Sequence, residues 1–238
     1  KKFWINLMSI ELKKRIITSI FLISLLMLMY FYSFIMMISI IIIAMIVWVE
    51  FYALISKIMI NNSYKDRLQR FLCKSISLLY LSVLVYFILS IISYHPDLKI
   101  YLLFSTLVTI LSDIGGLVFG KIFKGRKLTK ISPQKTVSGS IGSFIFSLSL
   151  VPLFYNKLIE NNFVLLIFIT ITISLIAQLG DLFISYLKRK AKVKDTSDLL
   201  PGHGGLLDRV DGLIFSLMNL NKCASMSTGF MSGLIEWA

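Results

Sequence analysis

The chain has 238 residues, 57% of them hydrophobic and 16% charged, with a net charge of +13 and a mean hydropathy of +0.83. A water-soluble fold of this length needs far more polar surface, so the composition excludes one and points to an all-α, polytopic membrane protein. The bases lie in short loops between apolar runs, which favours lipid headgroups as their partners and gives no reason to expect nucleic acid.

In chain order, the opening segment "KKFWINLMSIELKKR" interleaves lysines with apolar side chains and reads as interfacial. Residues 16–49 contain no charge. One helix of that length would run roughly 50 Å against an apolar core of about 30 Å, so two spans meeting near Tyr30–Ser33 are expected. The first runs directly into the second and reads as a retained anchor rather than a cleaved leader. Spans are expected at about 16–31, 34–50, 76–93, 100–120, 140–156 and 163–184, with a weaker seventh after Asp211, about seven transmembrane helices in a single domain over 1–238. Alternate loops carry 22 lysines and arginines against two in the others, which places the amino terminus and a polar active site on the cytoplasmic side. Cys73 and Cys223 have no metal or disulfide spacing and read as free thiols.

Chemistry is concentrated in two stretches. Asp113 in "TILSDIGGLVFGK" and Asp181 in "IAQLGDLFISYLKRK" sit near the ends of apolar spans, where a carboxylate is expensive unless it meets a cation, a cavity or a partner. The plainer alternative is an interfacial aspartate reaching water. Ser185, Lys188 and Arg189 follow Asp181 by four, seven and eight positions and share its helix face, although the two bases also serve as ordinary loop anchors. In "PGHGGLLDRVDG", Asp208 and Asp211 are three apart. Such carboxylates repel, raising one pKa, unless a divalent cation lies between them. With Asp181 they compose an all-oxygen set of the kind Mg²⁺ prefers; a helix start without metal is the alternative. Arg209 suits a phosphate, Gly202, Gly204 and Gly205 offer amides to an anion, and His203 reads equally as a phosphate donor and as a loop histidine without a role. The loop "GKIFKGRKLTKISPQKTVSGSIG" has six bases and no acid, with Lys135 and Thr136 at the mouth of the next span. Acids for a metal beside bases for phosphates suggest phosphoryl or nucleotidyl transfer to a membrane-resident substrate.

The segment "SYLKRKAKVKDTSDLLPGHGGLLDRVDG" closely resembles the signature of the phosphatidate cytidylyltransferases, the CDP-diacylglycerol synthases. Its matching positions are Ser185, Lys188, Arg189, Lys194, Asp195, Pro201, His203, Gly204, Gly205, Asp208, Arg209 and Asp211, so the signature region is 181–212. "SDIGGLVFGKIFKGRKLTKISPQKTVSGSIG" resembles the family's upstream pattern, and "RIITSI" and "WVEFY" do so more faintly. The resemblance implies transfer of CMP from CTP to phosphatidate, releasing pyrophosphate, in a bacterial cell (inner) membrane, with a homodimer left open. It implies Asp181, Asp208 and Asp211 as ligands of Mg²⁺ at two cation sites, the second ion's identity open. Lys188 and Arg189 then act with these acids, and Ser132, Lys135 and Thr136 of "SPQKT" bind nucleotide or phosphate. The family's loop usually reads Ser-Pro-Lys-Lys-Thr-x-Glu-Gly; this chain has Gln134 and Ser138 at two of those places. A CTP-dependent polyprenol or dolichol kinase is the neighbouring alternative. An ion-coupled transporter using Asp113 and Asp181 is the alternative of another class, and it leaves "HGGLLDRVDG" unexplained.

Overall fold

The structure is a computed structural model and describes residues 2–59, 64–94, 98–129, 132, 135–158, 162–199 and 204–218. His203, Gly202, Gln134, Cys223 and most of the stretch after Asp211 lie outside the described residues. Among the described residues there are eight helices: α1 (Lys2–Phe31), α2 (Ser33–Ile58), α3 (Tyr64–Tyr94), α4 (Lys99–Phe123), α5 (Val137–Leu148), α6 (Val151–Leu158), α7 (Phe163–Lys190) and α8 (Leu207–Met218). The all-α expectation holds. Four of them (α2, α3, α4 and α7) are long and apolar enough to cross a membrane, and the bent pair α5–α6 makes up to five. Seven is more than the described residues supply: 16–31 is a shorter apolar helix, and α8 has only 12 residues.

The expected break between the first two spans falls at Tyr32, in extended conformation. Two other boundaries differ from expectation. The basic stretch before the third span is not loop but the first turns of α3, which begins at Tyr64. "YKDRLQR" is rich in good helix formers, and Asp66 in the first turn complements the helix dipole. The expected span 140–156 is bent by 46° between α5 and α6. Pro152 cannot donate to the carbonyl of Leu148, and its ring crowds that carbonyl, so the helix restarts at Val151.

The chain divides into two compact units, one of Lys1–Ile92 with Leu187–Arg209 and one of Ser93–Tyr186 with Val210–Ala238. In the second unit, α4 and α5 run antiparallel along a seam of small residues. A Cβ on Gly116 would lie 2.8 Å from the Ser143 hydroxyl, and one on Gly139 would lie 2.8 Å from the Gly116 carbonyl. Hydrocarbon offers no hydrophobic drive between helices, so close backbone approach and interhelical hydrogen bonds hold them. Ser143 Oγ donates to the Ser112 carbonyl at 2.7 Å, the Ser112 and Ser174 hydroxyls meet at 2.9 Å, and Thr109 and Ser216 meet at 3.0 Å. These bonds tie α5, α7 and α8 to α4.

Candidate active-site residues

In the first unit the signature segment folds back on itself after α7. Val193 N–H donates to the Lys188 carbonyl at 3.0 Å and Lys192 N–H to Arg189 at 3.1 Å, with Lys192 left-handed at φ 56°. This is a Schellman stop built without glycine. It reverses the chain so that Thr196, which is buried, faces the start of α8. Asp208 collects the result. Its Oδ1 accepts from Lys188 Nζ at 2.6 Å, and its Oδ2 accepts from Thr196 N–H at 2.8 Å, Thr196 Oγ1 at 3.0 Å and Gly205 N–H at 3.2 Å.

The anchor of this turn is Glu50, from α2. It is 5% exposed, a depth that demands full pairing of a carboxylate. Oε1 accepts from Ser197 Oγ at 2.6 Å and Leu206 N–H at 3.0 Å. Oε2 accepts from Thr196 Oγ1 at 2.9 Å and Leu207 N–H at 2.8 Å. The carboxylate therefore takes up amides that the first turn of α8 leaves without intrahelical partners, at the positive end of its dipole. The Thr196 hydroxyl has one proton and two carboxylate neighbours, so it donates to one at a time. Glycine is required on both sides of this contact. Gly204 has φ +83°, and a Cβ on Gly205 would run into the Thr196 hydroxyl and lie 2.7 Å from Glu50 Oε2. The Gly205 amide, expected to face a bound anion, donates to Asp208 of its own chain.

Sequence reasoning did not single out Glu50. A signal existed: it is the first charge after the uncharged stretch 16–49, within "WVEFY".

The expected repulsion between Asp208 and Asp211 does not raise the pKa of Asp208. Burial pushes the carboxyl up, but the Lys188 ammonium and the Thr196 amide and hydroxyl outweigh it and hold it below the usual aspartate value. Asp211 is itself buried, and its Oδ1 accepts from Gly212 N–H at 2.8 Å. Arg209 and Arg189 are exposed.

In the second unit, Asp181 pairs with Lys135 and accepts from Ser185 Oγ at 3.3 Å, so the expected i, i+4 relation on α7 is observed. The loop that delivers Lys135 is a hairpin, with Leu128 N–H donating to the Lys135 carbonyl at 2.8 Å and Val137 N–H to Arg126 at 2.9 Å. Lys135 N–H donates to the Ser132 carbonyl at 3.1 Å. Thr136 caps α5, accepting from Gly139 N–H at 3.0 Å. Ser138, where the family usually has a carboxylate, accepts from Gly125 N–H at 3.3 Å and meets the Thr136 hydroxyl at 3.0 Å, which ties the two ends of the hairpin. Gln178, another residue sequence reasoning missed, accepts from Ser140 Oγ on α5 and donates to Ser174 at 3.3 Å. An amide side chain inside an apolar span was its signal. Asp113 is exposed on α4.

Among the described residues no group of three or more acidic, histidine or cysteine side chains is gathered to hold a metal ion. Asp208 has four donors on its two oxygens, and Asp181 has a lysine and a hydroxyl. The arrangement described therefore engages both carboxylates within the chain, Asp208 fully and Asp181 with lone pairs to spare. What it does offer is ammonium groups held by carboxylates, Lys188 on Asp208 and Lys135 on Asp181, suited to neutralising phosphate oxygens.

The profile of the Cytidylyltransferase family matches residues 4–226, a family whose chemistry implies a divalent cation. The chain is 47% identical over 124 residues to a phosphatidate cytidylyltransferase of Staphylococcus saprophyticus, covering 51% of this chain and 47% of that protein. It is 45% identical over 115 residues to one of Rickettsia bellii, covering 44% and 48%, and 44% identical over 124 residues to one of Staphylococcus aureus, covering 51% and 47%. It spans about half the length of the curated relatives it matches. The family match takes in α2, which carries Glu50, the hairpin that carries Lys135 and the turn closed by Asp208, and on it this membrane chain belongs to the Cytidylyltransferase family.

Proposed function

We propose that the protein transfers CMP from CTP to phosphatidate, forming CDP-diacylglycerol and pyrophosphate in a bacterial inner membrane. The observation that carries this reading is the family match over 4–226, together with relatives that bear the name phosphatidate cytidylyltransferase. A phosphatidate oxygen attacks the α-phosphorus of CTP; the new P–O bond forms as the bond to the bridging oxygen of the β-phosphate breaks, and pyrophosphate leaves. The attacking phosphate is already anionic and needs little help from a base, so catalysis consists of alignment and charge neutralisation.

Lys135, Lys188 and Arg189 are assigned to the nucleotide phosphates, with Arg209 able to engage one bidentately. In the free protein Asp181 and Asp208 hold two of these lysines, and nucleotide phosphates compete for them. Ser132, Thr136, Ser185, His203, Gly204, Gly205 and Asp113 are proposed to complete nucleotide and lipid recognition. The reading of Asp181, Asp208 and Asp211 as ligands of two Mg²⁺ ions requires Lys135 and Lys188 to leave their carboxylates first. The excess of bases on alternate loops supports a cytoplasmic orientation for the amino terminus and for 121–135 and 188–210.

The test supplies labelled CTP and phosphatidate to purified protein with and without Mg²⁺. Pyrophosphate and a cytidylated lipid are expected. CDP and a phosphorylated lipid would identify a kinase instead, and no lipid-linked label would remove the transferase reading. Cross-linking in native membranes tests for a homodimer.

A further inference from the structure

Between α2 and α3, both in the first unit, lies an open cavity of about 380 Å³ that the chemistry above does not use. Its α3 wall carries Arg67, Arg70 and Lys74, at offsets of three and four and so on one helix face; its α2 wall carries Trp48 and Tyr52, one turn apart. None of the lining residues is acidic. Lys74 Nζ stands 3.3 Å from the centre of the Tyr52 ring and donates to Ser56 Oγ at 2.8 Å, so the ammonium is held in place by an aromatic face and a neutral hydroxyl. Three cations around one cavity, with no acid among its lining residues, describe an anion site.

The face beside it identifies the anion's source. Phe71, Leu78, Leu79 and Tyr86 are exposed on α3, from 46% to 75%. From Phe71 to Tyr86 the helix rises about 22 Å, enough to pass one leaflet of an apolar core about 30 Å thick. We propose that the cavity takes the phosphate of an anionic bilayer phospholipid whose acyl chains lie along this face of α3. Arginine engages phosphate bidentately and lysine as a point charge, and basic pockets between membrane helices recur as headgroup sites. The inference is independent of the transfer reading, since neither Arg67, Arg70, Lys74 nor Trp48 is assigned a part in it.

The test uses the full chain purified in detergent and offered equal amounts of phosphatidylglycerol and phosphatidylcholine, with retained lipid counted by native mass spectrometry. The wild type should retain phosphatidylglycerol at least tenfold better. Arg67→Gln, Arg70→Gln and Lys74→Gln combined should lose about tenfold of that retention. If the triple variant does not fold, Lys74→Gln alone, which should lose about threefold, and the wild-type lipid ratio decide. Equal retention of the two lipids, or unchanged retention in a well-folded variant, would overturn the proposal. Inorganic phosphate raising the wild-type Tm as far as phosphatidylglycerol does would assign the cavity to free phosphate and overturn the lipid occupant.

Discussion

Glu50→Gln is the most discriminating perturbation of the signature turn. It keeps the side-chain volume but replaces one oxygen with an NH₂ group. Each Glu50 oxygen accepts one α8 amide and one hydroxyl. Whichever way the glutamine amide turns, one α8 N–H and one hydroxyl then face a donor. The hydroxyl can rotate away, but the buried N–H cannot, and an unsatisfied buried group costs about 1–3 kcal/mol. Loss of the negative charge at the start of α8 adds about 0.3–1 kcal/mol. A total of about 1.3–4 kcal/mol makes local opening of this turn roughly tenfold to several-hundred-fold more frequent, at tenfold per 1.4 kcal/mol.

Hydrogen exchange reads this directly. The amides of Thr196, Leu206 and Leu207 should exchange faster by that factor, while Val108, fully buried in α4, should not change. CMP transfer should fall along with it, because Lys188 and Asp208 are held by the same turn. Exchange at Leu206 and Leu207 within twofold of wild type would refute the anchoring role of Glu50, whatever the activity.

Asp208→Asn should lower CDP-diacylglycerol formation by orders of magnitude and also destabilise the turn, because it leaves the Lys188 ammonium without its counter-charge; near wild-type turnover would remove Asp208 from the mechanism. Because its folded pKa is depressed, its contribution is fully present above the ordinary aspartate value of about 3.9 and is lost as pH falls through the lower folded value. The stability gap between wild type and Asp208→Asn, followed by acid titration of melting, should therefore close below about pH 4. Lys135→Ala should lower kcat/KM for CTP without affecting membrane insertion, since five other bases remain in that loop; unchanged kcat/KM would reduce Lys135 to a topological charge. Cysteines placed at Lys127 and Lys192 should resist impermeant labelling from outside intact cells, and ready labelling there would reverse the orientation.

Much of the fold was legible because helices obey local rules. Apolar runs and the absence of charge over 16–49 located the first two helices and the break between them at Tyr32, and the i, i+4 spacing brought Ser185 to Asp181. These relations follow from backbone hydrogen bonding within a few residues, which any sequence displays. The clustering of acids, arginine and glycines in "HGGLLDRVDG" likewise marked where polar chemistry is concentrated. Pro152 was also in view, yet its effect depended on whether neighbouring packing would accept a bend instead of a longer span.

Tertiary structure alone decided which charges meet. Nothing local links Glu50 to Thr196, 146 positions away, or Lys135 to Asp181, or indicates that Asp208 would be held by Lys188 rather than repelled by Asp211. From sequence, two acids three apart suggested mutual repulsion and a shared cation; in the folded chain a lysine and two amides surround one of them, and its pKa moves the other way. Burial sets the strength of each interaction, and burial is a property of packed helices, not of residue order.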